Sequence, residues 1–94
     1  MTVVSGHNAQ APLAVTVVDM FKRSDRKWII AGSLEGGSLR EGQRVRLQVE
    51  GQPSIGAMVT GFNLESISLP QVDFVIETDR PIERRLPAKI TSDS

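Results

Sequence analysis

The segment Gln43 to Glu50 alternates strictly between apolar and polar residues, and this alternation constrains the fold more than any other feature of the chain. Val45, Leu47 and Val49 point to one side, while arginine, glutamine and glutamate occupy the positions between them. Such a period of two is typical of a β-strand with one face in a core and the other in water. Similar runs recur along the chain, in the segments 12–21, 28–34, 54–62, 72–78 and 86–90.

Residues that favour turns separate these runs, and no window keeps a helical period for three turns. Six short strands with turns at regular spacing predict an all-β fold, either a barrel or a sandwich. We expect a flexible N-terminal arm at 1–11, a single domain built from these strands at 12–91 and a C-terminal tail at 92–94. Pro87 favours an edge position for the last strand. In the long loop at 63–71, we expect Leu64, Ile67 and Leu69 to dip into the core.

Composition restricts the functions that such a domain can have. The chain has 94 residues, with eleven basic and eleven acidic side chains, so its net charge does not attract nucleic acid or a membrane. It contains no cysteine, which excludes disulfides and a thiolate nucleophile. The N-terminal residues lack the pattern of a secretory signal, and no apolar run is long enough to span a membrane, so we expect a cytoplasmic protein.

No catalytic constellation is apparent in the sequence. His7 is the only histidine, it lies in the predicted arm, and it has no neighbours that would build a general base or a metal site. Gly32 and Gly37 have the spacing of a phosphate-binding loop, but Ser38 follows where that loop needs lysine. We therefore predict a protein that is not an enzyme and that binds no nucleotide, cofactor or metal.

The order of the pieces between Pro12 and Val45 resembles the second domain of translational GTPases such as elongation factor Tu. The residues that carry the resemblance are Pro12, Val17, Asp19 and Phe21, then Ile29, Ile30, Gly32, Leu34 and Glu35, then Gly37, Leu39, Arg40, Gly42 and Val45. The resemblance implies that the domain is a small six-stranded β-barrel, closed or nearly closed. In that family this barrel is an accessory module that contacts other domains and, in some members, the acceptor end of tRNA. The last third of the chain departs from the family pattern, because it lacks the expected glycines before the fifth strand and at the closing strand.

The resemblance and the glycine spacing together give the glycines at 32, 37 and 42 structural roles. Gly37 and Gly42 flank a short excursion between strands, where a tight backbone needs positive φ or a close approach. Leu39, between them, is expected to cap the barrel end. Gly32 lies where a strand must bend or pack against its neighbour.

A cluster of cations is the main candidate for a binding surface. Lys22, Arg23, Arg26 and Lys27 crowd the first hairpin turn, and Arg44 and Arg46 face outward from a strand that could lie nearby. Such a patch suits RNA phosphates or an acidic protein surface, although hairpin turns and outward strand positions are charged in many proteins. Trp28, beside the turn, is either an interface anchor or a core residue packed over the barrel end.

These observations predict a binding module for a protein or RNA partner. The alternative is a structural, self-associating barrel that buries Val3, Val4 and the arm against a second copy.

Overall fold

The structure is a computed structural model that describes residues 3–5, 10–63 and 67–93. These residues form eight strands and no helix. The strands are β1 (Val3–Ser5), β2 (Ala14–Lys22), β3 (Lys27–Gly36), β4 (Ser38–Arg40), β5 (Arg44–Val49), β6 (Ile55–Phe62), β7 (Gln71–Thr78) and β8 (Ala88–Ser92). The prediction of an all-β chain is confirmed.

Six of the strands close into a barrel in the order β2-β3-β7-β6-β5-β8, and β2 and β8 pair to complete the circle. All neighbours in the barrel are antiparallel. The predicted six-stranded closed barrel is therefore confirmed. Closure pairs the backbone of every barrel strand on both sides, so the barrel leaves no sheet edge of the usual kind.

The core fills the barrel interior with the apolar residues that alternate inward. Val45, Leu47 and Val49 on β5 are buried, as the sequence predicts. The same holds for Leu13, which directly precedes β2, and for Val15 and Val17 at the start of β2. The largest fully buried side chains are Trp28, Phe74, Met20, Ile30, Leu39, Leu47, Ile76 and Ile90.

The last strand differs from its predicted position. β8 begins at Ala88 instead of Leu86, and it lies between β2 and β5 instead of at an edge. Pro87 is accommodated because it precedes the strand, where its carbonyl accepts a hydrogen bond from the Glu50 N–H at 3.1 Å. The last third of the chain thus closes the barrel without the glycines that the family pattern has.

The long loop follows the prediction only in part. Ile67 packs against the core, whereas Leu69 is 43% exposed, so its predicted burial is wrong. Leu69 points outward because it lies in a tight turn, in which Ser68 and Gln71 exchange backbone hydrogen bonds of 3.1 and 2.9 Å. Leu64 lies outside the described residues.

A two-stranded ribbon of β1 and β4 lies outside the barrel order. Val4 pairs with Leu39, and both side chains are buried, so the Val3–Ser5 part of the predicted arm is a strand that covers Leu39. This contact was not anticipated from the sequence, because three residues are too few to give a strand signal.

The glycines that flank β4 have the conformation that their spacing suggests. Gly37 and Gly42 have φ values of 78° and 82°. A Cβ on Gly37 would lie 2.6 Å from the Leu13 Cα, whereas a Cβ on Gly42 would have nothing within 4 Å. Gly32 is needed for close packing, because a Cβ there would lie 2.7 Å from the carbonyl oxygen of Thr16 on the neighbouring strand.

Candidate binding surface

The basic turn, which we define as Lys22, Arg23, Arg26 and Lys27, connects β2 to β3 at one end of the barrel. The Arg23 N–H donates to the Lys27 carbonyl at 2.8 Å, which fixes a tight hairpin. All four side chains are exposed. The sequence prediction that they form one cationic cluster agrees with this placement.

Two of the four cations have no charge partner. The side chains of Arg23 and Lys27 make no ion pair or hydrogen bond with the part of the chain that the structure describes. Lys22 lies 3.6 Å from Asp25, but both side chains are largely in water, so this pair is weak. Arg26 contributes a minor part of the lowering of the Asp79 pKa.

Trp28 is part of the core and is absent from the surface. Its side chain is 1% exposed, because alternation along β3 turns it inward between Lys27 and Ile29. Of the two roles that the sequence leaves open, the structure favours the core residue over the interface anchor.

Arg44 and Arg46 are held by carboxylates. Arg44 makes a bidentate pair with Asp79, with distances of 3.0 and 2.7 Å, and Arg46 lies 2.9 Å from Asp93. The side-chain hydrogen bonds from Arg44 lower the pKa of Asp79. Arg26 and Arg44 both interact electrostatically with Asp79, but Asp79 already compensates the charge of Arg44.

A groove on the outside of the barrel adjoins the basic turn. It crosses β3, β7 and β6, and we call it the outer groove. Two adjoining hollows form it, and both are lined by Arg23 and Val75. Further lining residues include Lys27, Ile29, Gly61, Phe62 and Asp73.

The shape of the outer groove comes from β6. The pairing of β6 with β7 shifts register between Val59 and Gly61, and Gly61 contributes no side chain to the outer face. The hydroxyl of Thr60 donates to the Val75 carbonyl at 3.3 Å, which holds the two strands together at this irregularity. The result is a hollow above Gly61 in which Val75 lies close to Arg23 and Lys27.

The outer groove was not predicted from the sequence, although the sequence contains apolar residues that indicate it. Ile29 and Val75 occupy outward positions, where a strand with one wet face normally carries polar residues. Phe21, which pairs with Ile29, extends this outward apolar surface and is 51% exposed. Three outward apolar residues on adjacent strands become visible as a patch only when the strand order is known.

A second groove lies on the other side of the barrel, across β2, β8 and β5. Its lining includes Thr16, Gln48, Glu50, Pro87 and Lys89. The lining carries one acidic and one basic side chain, so it has no concentration of unpaired charge comparable with that of the outer groove.

Asp19 and Asp79 each form an ion pair with an arginine. A hydrogen bond from Arg84 is the main cause that lowers the pKa of Asp19, as Arg44 does for Asp79. Both groups are therefore ionised at neutral pH, when a general acid would have to keep its proton. Within 3–5, 10–63 and 67–93, no group of three residues is arranged to hold a metal ion. His7 lies outside these ranges.

Comparison of the chain with known protein families, with curated proteins and with solved structures finds no match. Among the described residues, no helix is long and apolar enough to cross a membrane.

Proposed function

We propose that this protein is a non-enzymatic binding module, similar to the accessory β-barrel of translation factors, which binds a protein or RNA partner. The binding surface consists of the basic turn and the adjoining outer groove. The observation that carries the proposal is the position of Arg23 and Lys27, two exposed cations that have no ion-pair partner among the described residues and that line a hollow together with Val75.

The contrast with other arginines supports this assignment. Arg44, Arg46 and Arg84 each lie against an aspartate, so their charges already have partners within the fold. Arg23 and Lys27 keep their full charge available for a partner. Apolar surface beside them adds a contribution that does not depend on salt, as in most protein interfaces.

The experiment is a pull-down from a lysate of the source organism, with and without ribonuclease. The baits are the wild type, a variant with Arg23→Ala and Lys27→Ala, and a matched control with Arg40→Ala and Lys89→Ala. The control removes the same charge from exposed positions outside the basic turn. We expect the first variant alone to lose the captured partner, and its residual binding to depend less on salt.

The ribonuclease arm identifies the class of partner. Loss of captured material after ribonuclease indicates RNA, whereas capture of one protein in both arms indicates a protein partner. Equal capture by all three baits would refute the assignment of the basic turn.

Self-association is the second candidate function. It is supported by Val3, which is 55% exposed on the uncharged strand β1 of the two-stranded ribbon. Such a strand lacks the charges that normally protect an edge from pairing with another chain. A molar mass that rises with protein concentration, and that Val3→Lys returns to the monomer value, would favour this function.

A further inference from the structure

We propose that the outer groove binds an extended protein segment that has acidic residues at one end, apolar residues in the middle and a basic residue at the other end. This inference rests on the proposed function and selects a protein over RNA as the occupant. It follows from three features of the groove: its floor, its two charged ends and its length.

The floor of the groove is an apolar row with one empty position. Ile29 pairs with Val75, and Val75 pairs with Gly61, so the three residues lie side by side on adjacent strands. A Cβ placed on Gly61 would have only one neighbour, a carboxylate oxygen of Glu41 at 3.9 Å. The position above Gly61 therefore has room for an apolar side chain from a partner, next to the exposed parts of Ile29 and Val75.

The two ends of the groove have opposite charge. Lys27 lines only the hollow next to the basic turn, Asp73 lines only the other hollow, and Arg23 lines both. Lys27 pairs across the strands with Glu77, and Asp73 is four residues before Glu77 on β7. At about 3.3 Å per strand residue, the two ends are about 13 Å apart, which is the length of about four extended residues.

The acidic end distinguishes a peptide from a nucleic acid. A single-stranded RNA that followed the groove would bring a phosphate next to Asp73, and like charges at close range oppose binding. A peptide can place carboxylates against Arg23 and Lys27 and a basic side chain against Asp73. It therefore satisfies both ends of the groove at once.

The test uses a synthetic peptide, acetylated and amidated, of sequence Gly-Glu-Glu-Phe-Leu-Lys-Gly. Its binding to the isotope-labelled chain is followed by amide chemical shifts. One control peptide replaces Phe and Leu with Ser, and a second replaces both Glu with Lys. A ten-nucleotide oligouridylate is titrated in parallel as the RNA probe.

Two variants provide the structural control. Gly61→Leu fills the hollow from a position where a Cβ meets only the end of one flexible side chain. Gln48→Leu adds the same side chain at an exposed position of β5, on the other side of the barrel. Amide spectra of both variants confirm that they fold.

We expect saturable shifts at the amides of Arg23, Ile29, Gly61 and Val75 with the first peptide, and much weaker shifts with both control peptides. Gly61→Leu should weaken binding by about tenfold or more, whereas Gln48→Leu should leave it unchanged. The absence of saturable shifts up to about 1 mM peptide would overturn the inference. So would binding that Gly61→Leu leaves intact.

Failure of this inference is distinguishable from failure of the proposed function. If oligouridylate shifts the groove amides, and Asp73→Lys strengthens that binding while the peptide stays inactive, the occupant is RNA and the proposed function stands. If neither probe binds and the pull-down baits behave alike, the proposed function fails as well.

Discussion

The replacement of Gly37 by alanine provides a quantitative test of the packing at the barrel end. An alanine at φ 78° pays about 1 kcal/mol for the left-handed backbone. Its Cβ would also lie 2.6 Å from the Cα and 2.8 Å from the nitrogen of Leu13, which are backbone atoms and must move. Overpacking of this kind costs typically about 1–3 kcal/mol. We therefore expect Gly37→Ala to lower the free energy of unfolding by about 3 kcal/mol.

Gly42→Ala is the matched control. Gly42 has nearly the same φ, 82°, but a Cβ there would have nothing within 4 Å, so only the cost of about 1 kcal/mol for the backbone remains. For a domain of this size, 1 kcal/mol lowers the Tm by about 4–8 °C. The two variants should therefore differ in Tm by at least about 8 °C, with Gly37→Ala the lower.

The assay is urea and thermal unfolding followed by the fluorescence of Trp28. This residue is the only tryptophan and is 1% exposed, so its emission should change strongly when the barrel opens. Equal losses of stability in the two variants would refute the close approach of Gly37 to Leu13. A larger loss for Gly42→Ala would refute it more strongly.

Three further predictions concern the ion pairs on the surface. The pKa of Asp79 is held below its usual value of 3.8 by hydrogen bonds from Arg44, so the folded state favours the ionised carboxylate. The contribution of this ion pair to stability is present above the unfolded pKa and is lost as the pH falls through the folded pKa. Asp79→Asn should therefore make the urea midpoint decline less steeply as the pH falls below about 4. Gly56→Ala should disrupt the same pair, since its Cβ would lie 2.5 Å from Asp79 Oδ2, and a double-mutant cycle should show that Asp79→Asn adds little to it. Arg84→Ala removes the bonds to Asp19 and to the Met20 carbonyl, and should speed amide hydrogen exchange in β2 around Met20, beyond the residues that pair with β8.

The architecture could be predicted from the sequence because the barrel depends on local patterns. The alternation of Val45, Leu47 and Val49 defines a strand with one buried face wherever that strand is placed. Six such strands with short connections leave few arrangements besides a barrel or a sandwich. The short ribbon strand β1 escaped prediction because its pairing with β4 joins residues that are far apart in the chain.

The candidate site was predictable only in part. The cations of the basic turn are adjacent in sequence, so their clustering follows from the hairpin alone. The compensation of Arg44 by Asp79 depends on a contact between residues 35 positions apart, and no local pattern reports such a contact. The outer groove forms because β3, β7 and β6 are adjacent in the barrel and because the pairing shifts register at Gly61. The alternation of apolar and polar residues predicts neither feature.

The most direct test of the central claim, that the basic turn and the outer groove form the binding surface, is site-specific photocrosslinking in living cells of the source organism. A photoreactive amino acid replaces Ser24, which lines the groove beside the basic turn, or Gln48 on the other side of the barrel as the matched control. We predict that position 24 gives a discrete crosslinked adduct, that Arg23→Ala with Lys27→Ala abolishes it, and that position 48 gives none. An adduct at position 48 without one at position 24 would contradict the account and move the binding surface to the β2–β8–β5 side.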